Sequence, residues 1–154
     1  MENEKIKIIK ELTEELLRHL LIKGTAEVSE DKENQAFEVQ IESEDSSYLI
    51  GYHGENIEAL QLILSLMVYK KLGSWQRLVV NVGNYRQQRE EQLKKLSLNI
   101  AQKVKFSGRE QAIPDLSAKE RRIVHLALRN HPDVYTESEG ENDKRTLIVR
   151  PKKK

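Results

Sequence analysis

The most hydrophobic segment of the chain, residues 56–72, restricts its possible folds more than any other feature. We predict that this segment forms a helix that ends at Gly73. Such a helix is expected to be covered on more than one face, which places it at the centre of a hydrophobic core. The apolar side chains that crowd almost every side of it are Ile57, Leu60, Leu62, Ile63, Leu64, Leu66, Met67 and Val68.

The sequence around this helix predicts another helix and three strands. Residues 5–23 predict an amphipathic helix ending at Gly24, because apolar residues recur every three or four positions. Residues 25–30 and 35–42 flank a polar turn and predict a hairpin with one solvent-exposed face. The β-branched run 76–82 supplies a third strand. The predicted order is therefore α-β-β-α-β.

The second half of the chain predicts a long polar helix followed by a smaller α/β unit. The long helix covers residues 85–106, and its apolar stripe is narrow, so we expect it to connect two lobes. The next helix begins with a capping box, in which Ser117 is followed by Glu120 three residues later. Two strands are predicted at residues 133–137 and 145–151.

These elements predict two domains with a helix between them. The first domain covers residues 1–83, including the helix at 5–23. The connecting helix covers 84–107, the second domain covers 108–151, and a basic tail follows at 152–154.

The composition excludes several classes of site. The chain of 154 residues has no cysteine, and none of its four histidines form a pair four residues apart, so we expect no metal or other cofactor. No stretch approaches the roughly 20 apolar residues of a membrane-spanning helix. The acidic first residues lack the features of a secretory signal. We therefore expect a cytoplasmic protein without a transmembrane segment.

Charge is divided unevenly along the chain. Residues 1–73 carry 8 basic and 15 acidic residues, a formal net charge of −7, whereas residues 74–154 carry 18 and 10, a net charge of +8. A basic segment indicates a polyanionic partner, because each cation that neutralises a phosphate releases counterions. The alternative is that these cations form the solvated face of a helix.

Residues Gly51-Tyr52-His53-Gly54 form a G-x-x-G loop directly before the hydrophobic helix. Two glycines allow a tight turn and close approach to a sugar-phosphate backbone, and the N–H groups at a helix start face bound phosphates. In a KH domain this loop clamps about four nucleotides of a single strand. The α-β-β, loop, helix, strand order is that of the type II KH fold, whereas an isolated G-x-x-G is also typical of a plain turn.

A second candidate site lies in the capped helix. Arg121 and His125 are four residues apart and share a helix face, with Arg129 one turn further on. Two or three donors could therefore meet one anionic group. On this spacing alone, an exposed basic stripe is the competing interpretation.

The two motifs occur in the order and at the separation found in a bacterial family. Residues 116–125 and 134–141, with Arg145, closely resemble the R-3-H domain, which is named for its Arg-x-x-x-His. A type II KH domain followed by an R-3-H domain resembles the Jag family, also called the SpoIIIJ-associated or KhpB family, over residues 25–151. The resemblance implies an α+β protein. Its type II KH domain has the order α-β-β-α-α-β, with helices on one face of a three-stranded sheet, and a long helix joins it to a small α/β R-3-H domain.

The resemblance also implies the residues that bind single-stranded RNA, with single-stranded DNA as an alternative ligand. They are the KH backbone clamp, the signature pair of the second domain, and three residues of its loop and following strand: Gly51, Tyr52, His53, Gly54, Arg121, His125, Ser138, Gly140 and Arg145. It further implies pairing with a second small KH protein, and a homodimer is an alternative.

The chain departs from the family pattern in two respects. Members usually carry Lys or Arg in the KH loop, where this chain has Tyr52 and His53, so the charge assistance of the loop is reduced. Tyr52 is instead suited to stack on a base, and His53 to donate a hydrogen bond to phosphate. Many members begin with a small extra N-terminal domain, which we expect this chain to lack. We expect Gly54→Asp to weaken RNA binding without unfolding the protein.

We therefore predict a non-enzymatic, single-stranded RNA-binding protein that acts as a bacterial post-transcriptional regulator. The alternative is a protein-interaction adaptor linked to the cell envelope or to a membrane insertase, with auxiliary RNA binding. A nuclease with His125 as general acid or base is disfavoured, because no paired carboxylates, phosphate-binding loop or activated nucleophile accompany it.

Overall fold

The computed structural model describes residues 1–153, and within it the chain divides into two compact units. The first unit is Met1–Arg86 and the second begins at Gln87, and each has its own hydrophobic core. Lys154, the last residue of the predicted basic tail, lies outside the described residues. Among the described residues, no helix is both long and apolar enough to cross a membrane.

The first unit is a three-stranded sheet covered by helices on one face. Its strands lie in the order β1-β2-β3, with β1 antiparallel and β3 parallel to β2. The helices α1 and α3 contact each other as well as the sheet, so both lie on the same face. This mixed α+β arrangement is the one that the sequence predicted. The elements are α1 (Glu2–His19), β1 (Gly24–Asp31), β2 (Ala36–Ser43), α2 (Ser46–Ile50), α3 (Glu55–Leu72) and β3 (Leu78–Val82).

The core of the first unit follows from the alternation of apolar residues in the strands. Phe37, Val39 and Ile41 of β2 are buried, whereas Glu38 between them is exposed. At the hairpin turn, the Asn34 side chain and backbone N–H donate to the Asp31 carboxylate. These two bonds hold the pKa of Asp31 below its usual range, and the bond from the Asn34 side chain has the larger effect.

Helix α1 ends earlier than the sequence predicted. It stops at His19 rather than running to residue 23, and Gly24 begins β1. The Ile22 N–H donates to the Leu17 carbonyl and the Leu21 N–H to the Arg18 carbonyl, which is the Schellman pattern of a helix end. Leu21 therefore occupies the left-handed position that glycine favours, with a φ of 58°.

Helix α3 is covered on one face only, which contradicts the expectation that it is enclosed on several. Ile57, Leu60, Leu64 and Val68 are buried against the sheet and α1. The opposite side leaves five large side chains 48 to 59% exposed, namely Leu62, Ile63, Leu66, Tyr69 and, just after the helix, Trp75. We call these five residues the α3 apolar surface.

The second unit contains two helices and a three-stranded antiparallel sheet. Strand β6 lies in the middle of the sheet, in the order β4-β6-β5. The short strand β4 was not predicted, because three residues are too few to show an alternating pattern. The elements are α4 (Tyr85–Ser107), β4 (Gln111–Ile113), α5 (Ala118–Leu128), β5 (Val134–Glu139) and β6 (Thr146–Pro151).

The narrow apolar stripe of α4 belongs to the core of the second unit. Leu93, Ile100 and Val104 are buried there with Val124 of α5 and Leu147 of β6. The long helix predicted as a connection therefore begins in the first unit and supplies one wall of the second core.

The start of α5 is fixed by the predicted capping box. The Ser117 hydroxyl accepts from the Glu120 N–H at 3.1 Å, and the Glu120 carboxylate accepts from the Ser117 N–H at 3.2 Å. The same carboxylate accepts from Arg89 Nε of α4 at 2.8 Å, and its side chain is only 8% exposed. Glu120 thus satisfies a helix cap and joins α5 to α4.

Candidate nucleic-acid interface

The G-x-x-G loop lies between α2 and α3, and of its two middle residues Tyr52 is exposed and His53 is half-buried. A single 3₁₀ turn, Tyr52–Gly54, connects the helices. Gly51, His53 and Gly54 all have positive φ, at 68°, 51° and 81°. Two of these three are glycine, the residue that adopts such angles without steric cost. The loop conformation therefore follows directly from the G-x-x-G pattern.

The two glycines are also required by their neighbours. A Cβ on Gly51 would lie 2.5 Å from Asn56 Cγ, and a Cβ on Gly54 would lie 2.9 Å from Cε1 of Tyr85. The Asn56 side chain donates to the Tyr48 carbonyl at 2.8 Å and so ties α3 back to α2. Gly54→Asp would therefore strain the first unit, and it is not the binding-only change expected from the sequence.

The surface of the loop has two features that suit a single-stranded ligand. The Tyr52 ring is 61% exposed and stacks on His53, with ring centroids 3.9 Å apart and planes inclined at 18°. Gly54 is the N-cap of α3 and provides no side-chain cap for the first N–H groups of that helix. Uncapped N–H groups at a helix start attract anions, although Glu55 and Glu58 in the first turn oppose this attraction.

In the second unit, Arg121 and His125 each bond to the structure around α5. Arg121 Nη1 donates to the Leu116 carbonyl at 2.7 Å and to the Arg145 carbonyl at 3.5 Å. His125 Nδ1 forms a hydrogen bond with Thr136 Oγ1 of β5. Both side chains thus hold α5 against neighbouring segments, a role that the helical spacing did not reveal.

The remaining predicted site residues lie along the β5–β6 connection. Ser138 is half-buried in β5, opposite Leu147 of β6. Gly140 has a φ of 94°, and a Cβ there would lie 2.8 Å from the Lys144 carbonyl oxygen, so the tight connection requires glycine. Arg145 is exposed, and its carbonyl receives the bond from Arg121.

The structure thus groups the predicted residues in two places. Gly51, Tyr52, His53 and Gly54 share one loop of the first unit. In the second unit, Arg121 contacts the Arg145 backbone, while His125 contacts Thr136 rather than another predicted residue. Three residues that shape these places were missed, namely Asn56, Tyr85 and Thr136. Their roles depend on contacts across the fold, which no local motif indicates.

One outer face of the second sheet is occupied by ion pairs. Arg150 of β6 pairs with Glu110 at 2.8 Å and with Glu137 and Glu139 of β5. The hydrogen bond to Glu110 has the largest effect on the pKa of this guanidinium and the bond to Glu139 the second largest, and both raise it. Three carboxylates around one arginine repel phosphate, so nucleic acid is not expected on this face.

Two family models match separate parts of the chain. The KH-domain model of KhpA and KhpB matches residues 10–82, and the R-3-H domain model matches residues 91–151. The two matched regions include the G-x-x-G loop and the Arg121–His125 helix respectively.

Individual curated proteins are also similar to this chain. RNA-binding protein KhpB of Clostridium symbiosum is 38% identical over 111 residues, which are 72% of this chain and 50% of that protein. RNA-binding protein KhpB of Streptococcus pneumoniae is 29% identical over 124 residues, or 80% of this chain and 38% of the relative. The protein of that name from Bacillus subtilis is 26% identical over 134 residues, or 86% and 64%. The chain spans half the length of the first relative and less of the second.

Proposed function

Because the chain belongs to the family that joins a KhpA/KhpB-type KH domain to an R-3-H domain, we propose that it binds single-stranded RNA through both modules. The G-x-x-G loop holds the sugar-phosphate backbone, and Tyr52 stacks on a base. The relatives that match 72 to 86% of this chain are named RNA-binding proteins, which supports the proposal. The observation that carries it is the loop itself, with an exposed aromatic ring beside the uncapped start of α3.

The second contact is formed by two cations near α5, the half-buried Arg121 and the exposed Arg145. Arg121 keeps its Nε and Nη2 groups for a ligand, because Nη1 donates to both protein carbonyls. Arg145 extends from the same place, and no hydrogen bond or ion pair of its guanidinium is found among residues 1–153. Ser138 and Gly140 shape the connection beside them. Two weak contacts on one chain bind a strand more tightly than either alone, because the second binds intramolecularly.

The proposed role is that of a non-enzymatic, bacterial post-transcriptional regulator in the cytoplasm. Single-stranded DNA is the alternative ligand, since the loop and the arginines contact phosphate and base rather than the 2′-hydroxyl.

We further propose that a second KH domain, from another small KH protein or from a second copy of this chain, covers the α3 apolar surface. A contiguous exposed apolar surface of this kind marks an interaction site.

The first test changes the loop without changing its glycines. In Tyr52→Asp with His53→Asp, two carboxylates face the phosphates, and Asp tolerates the left-handed backbone at position 53. We expect affinity for a fluorescein-labelled oligouridylate, measured by anisotropy, to fall by about 10-fold or more, because like charges are brought together. The matched control, Tyr52→Asn with His53→Asn, has the same shape without the charge.

A second arm tests the other module. Arg145→Ala should reduce the salt dependence of binding by about one counterion, whereas Arg18→Ala, at an exposed arginine of α1, should leave it unchanged. If the double-Asp and double-Asn variants bound RNA with equal affinity, the loop would not be part of the RNA site. An unchanged salt slope in Arg145→Ala would remove the second contact.

A further inference from the structure

Phe106 is the most exposed aromatic side chain among the described residues. It lies in the last turn of α4 and is 82% exposed, whereas the other phenylalanine of the chain, Phe37, is 6% exposed. Burial of a phenylalanine side chain normally stabilises the fold, because it removes apolar surface from water. Phe106 makes little such contribution, so its ring is available to a ligand.

Basic residues from separate segments lie at the same end of the second unit as Phe106. Lys105 Nζ pairs with the Asp133 carboxylate at 3.0 Å, and the Lys152 N–H donates to the Asp133 carbonyl at 2.8 Å. The end of α4, the start of β5 and the end of β6 therefore meet there. Arg109 joins them, because Gln111 pairs with Val149 and the antiparallel register carries the residues before β4 towards the end of β6.

Cations predominate at this end. The cations are Lys103, Lys105, Arg109, Lys152 and Lys153. Lys103 lies three residues before Phe106 on α4, and therefore on the same helix face. These five cations outnumber the two carboxylates identified nearby, Asp133, which pairs with Lys105, and Glu110, which pairs with Arg150.

This end is separate from the proposed R-3-H contact. Arg121 bonds to the carbonyl of Arg145, which precedes β6, whereas Lys152 follows that strand. A strand of this length separates its ends by roughly 20 Å, at about 3.3 Å per residue. A ligand at Phe106 therefore occupies its own place.

The combination of one exposed ring with flanking cations selects the kind of ligand. A nucleobase offers a flat face to the ring and carries phosphates on both sides, which the cations neutralise. The centre of a protein interface is, by contrast, depleted in lysine.

We propose that the Phe106 end of the second unit is a further contact for single-stranded nucleic acid. The Phe106 ring stacks on a base, and Lys103 and Arg109 contact the adjoining phosphates. The proposal rests on the proposed RNA-binding function and adds a third contact to it.

The test compares Phe106→Ala and Phe106→Tyr with the parent in the full chain, by anisotropy of labelled oligouridylate. Phe106→Ala should raise the Kd by about 5-fold or more, with an unchanged salt slope, because a stacking contact is lost and no charge is removed. Phe106→Tyr retains the ring and should bind like the parent. Leu98→Ala, at a 54% exposed apolar position of the same helix, is the matched control and should also bind like the parent.

The phosphate contacts are tested separately. Arg109→Ala should lower the salt slope by about one counterion. The site is overturned if the parent binds RNA and Phe106→Ala binds equally well, or if Leu98→Ala loses as much affinity. A Phe106→Ala variant with parental RNA affinity that no longer retains a bound protein would overturn it in favour of a protein partner. If the parent itself binds no RNA, the proposed function falls, and this contact falls with it.

Discussion

Leu21 occupies a left-handed backbone position that favours glycine. A left-handed conformation costs a non-glycine residue roughly 1–2 kcal/mol, and the Leu21 side chain is 90% exposed, so it recovers little by packing. The cost is offset by Ile22, which packs against the first core and donates the last bond of the Schellman pattern. The end of α1 is thus determined by burial of Ile22 rather than by the glycine two residues later.

Replacing Leu21 with glycine should stabilise the first unit. Glycine removes the steric cost of the left-handed backbone in the folded state. It also raises the conformational entropy of the unfolded chain, which cancels part of this stabilisation. We expect a net increase in the free energy of unfolding of about 1 kcal/mol. Urea denaturation followed by fluorescence of Trp75, the sole tryptophan, measures it in the first unit.

The neighbouring Leu20 provides the control for this prediction. It has φ of −80°, so Leu20→Gly relieves no strain and should lower the free energy of unfolding by up to about 1 kcal/mol. If Leu21→Gly were as destabilising as Leu20→Gly, the backbone of Leu21 would carry no strain worth relieving.

At the scale of elements, α5 is held by the Arg89–Glu120 pair. The Glu120 carboxylate is buried and also caps α5, so its charge has to be compensated. Arg89 supplies that compensation from α4. The pair therefore determines how the two helices of the second unit pack, in addition to the apolar contacts between them.

Removing Arg89 should be far more costly than removing an exposed cation of the same helix. Arg89→Met leaves a buried carboxylate unpaired and should lower the free energy of unfolding by about 3 kcal/mol. Lys94→Met breaks an exposed pair with Glu90 and should cost at most about 1 kcal/mol. Far-UV circular dichroism during urea denaturation measures both variants.

The double variant Arg89→Met with Glu120→Gln distinguishes an unpaired charge from lost packing. Gln still serves as the partner in a capping box but carries no charge, so the double variant should recover much of the loss. A double variant no more stable than Arg89→Met would show that the arginine acts through packing alone.

The elements themselves could largely be predicted from the sequence, because their signals are local. The capping box of α5 and the alternation in β2 are readable from a few neighbouring residues, and the structure confirms both. The pairing of β4 with β6 and the contact of Tyr85 with Gly54 could not be predicted, since their partners are remote in sequence. The exposure of the α3 apolar surface was missed for the same reason. Helical periodicity shows which residues are apolar but not what covers them.

At the scale of the whole molecule, the α3 apolar surface is the basis of the proposed assembly. Leu62, Leu66 and Tyr69 follow one another along the helix at four- and three-residue spacing and form a continuous exposed stripe. Trp75 extends it, with its ring 6.2 Å from that of Tyr69. Removing exposed apolar side chains from water is favourable, and the proposed pairing with a second KH domain would do so.

The assembly prediction concerns Leu66, at the centre of the stripe. Leu66→Glu should weaken self-association, or association with an added small KH protein, by about 10-fold or more, because it places a charge in an apolar interface. Sedimentation velocity over a range of concentrations measures this. Leu98→Glu, at a similarly exposed leucine of the second unit, should associate like the parent.

The prediction has a clear contrary result. A parent chain that remains monomeric at every concentration and does not bind a small KH protein would show that the stripe has some other use. Loss of association in Leu98→Glu to the same degree would show that the effect is not specific to α3.

The packing of Tyr85 against Gly54 also bears on how this protein can evolve. A side chain gained at position 54 is accommodated only if position 85 becomes smaller, so the two positions should vary together among natural homologues. Asn56 imposes the same coupling on Gly51. Tyr52 is under no such constraint from buried neighbours, because its side chain is 61% exposed. Selection can therefore alter what the loop recognises through position 52, while the backbone frame that presents this position is inherited unchanged.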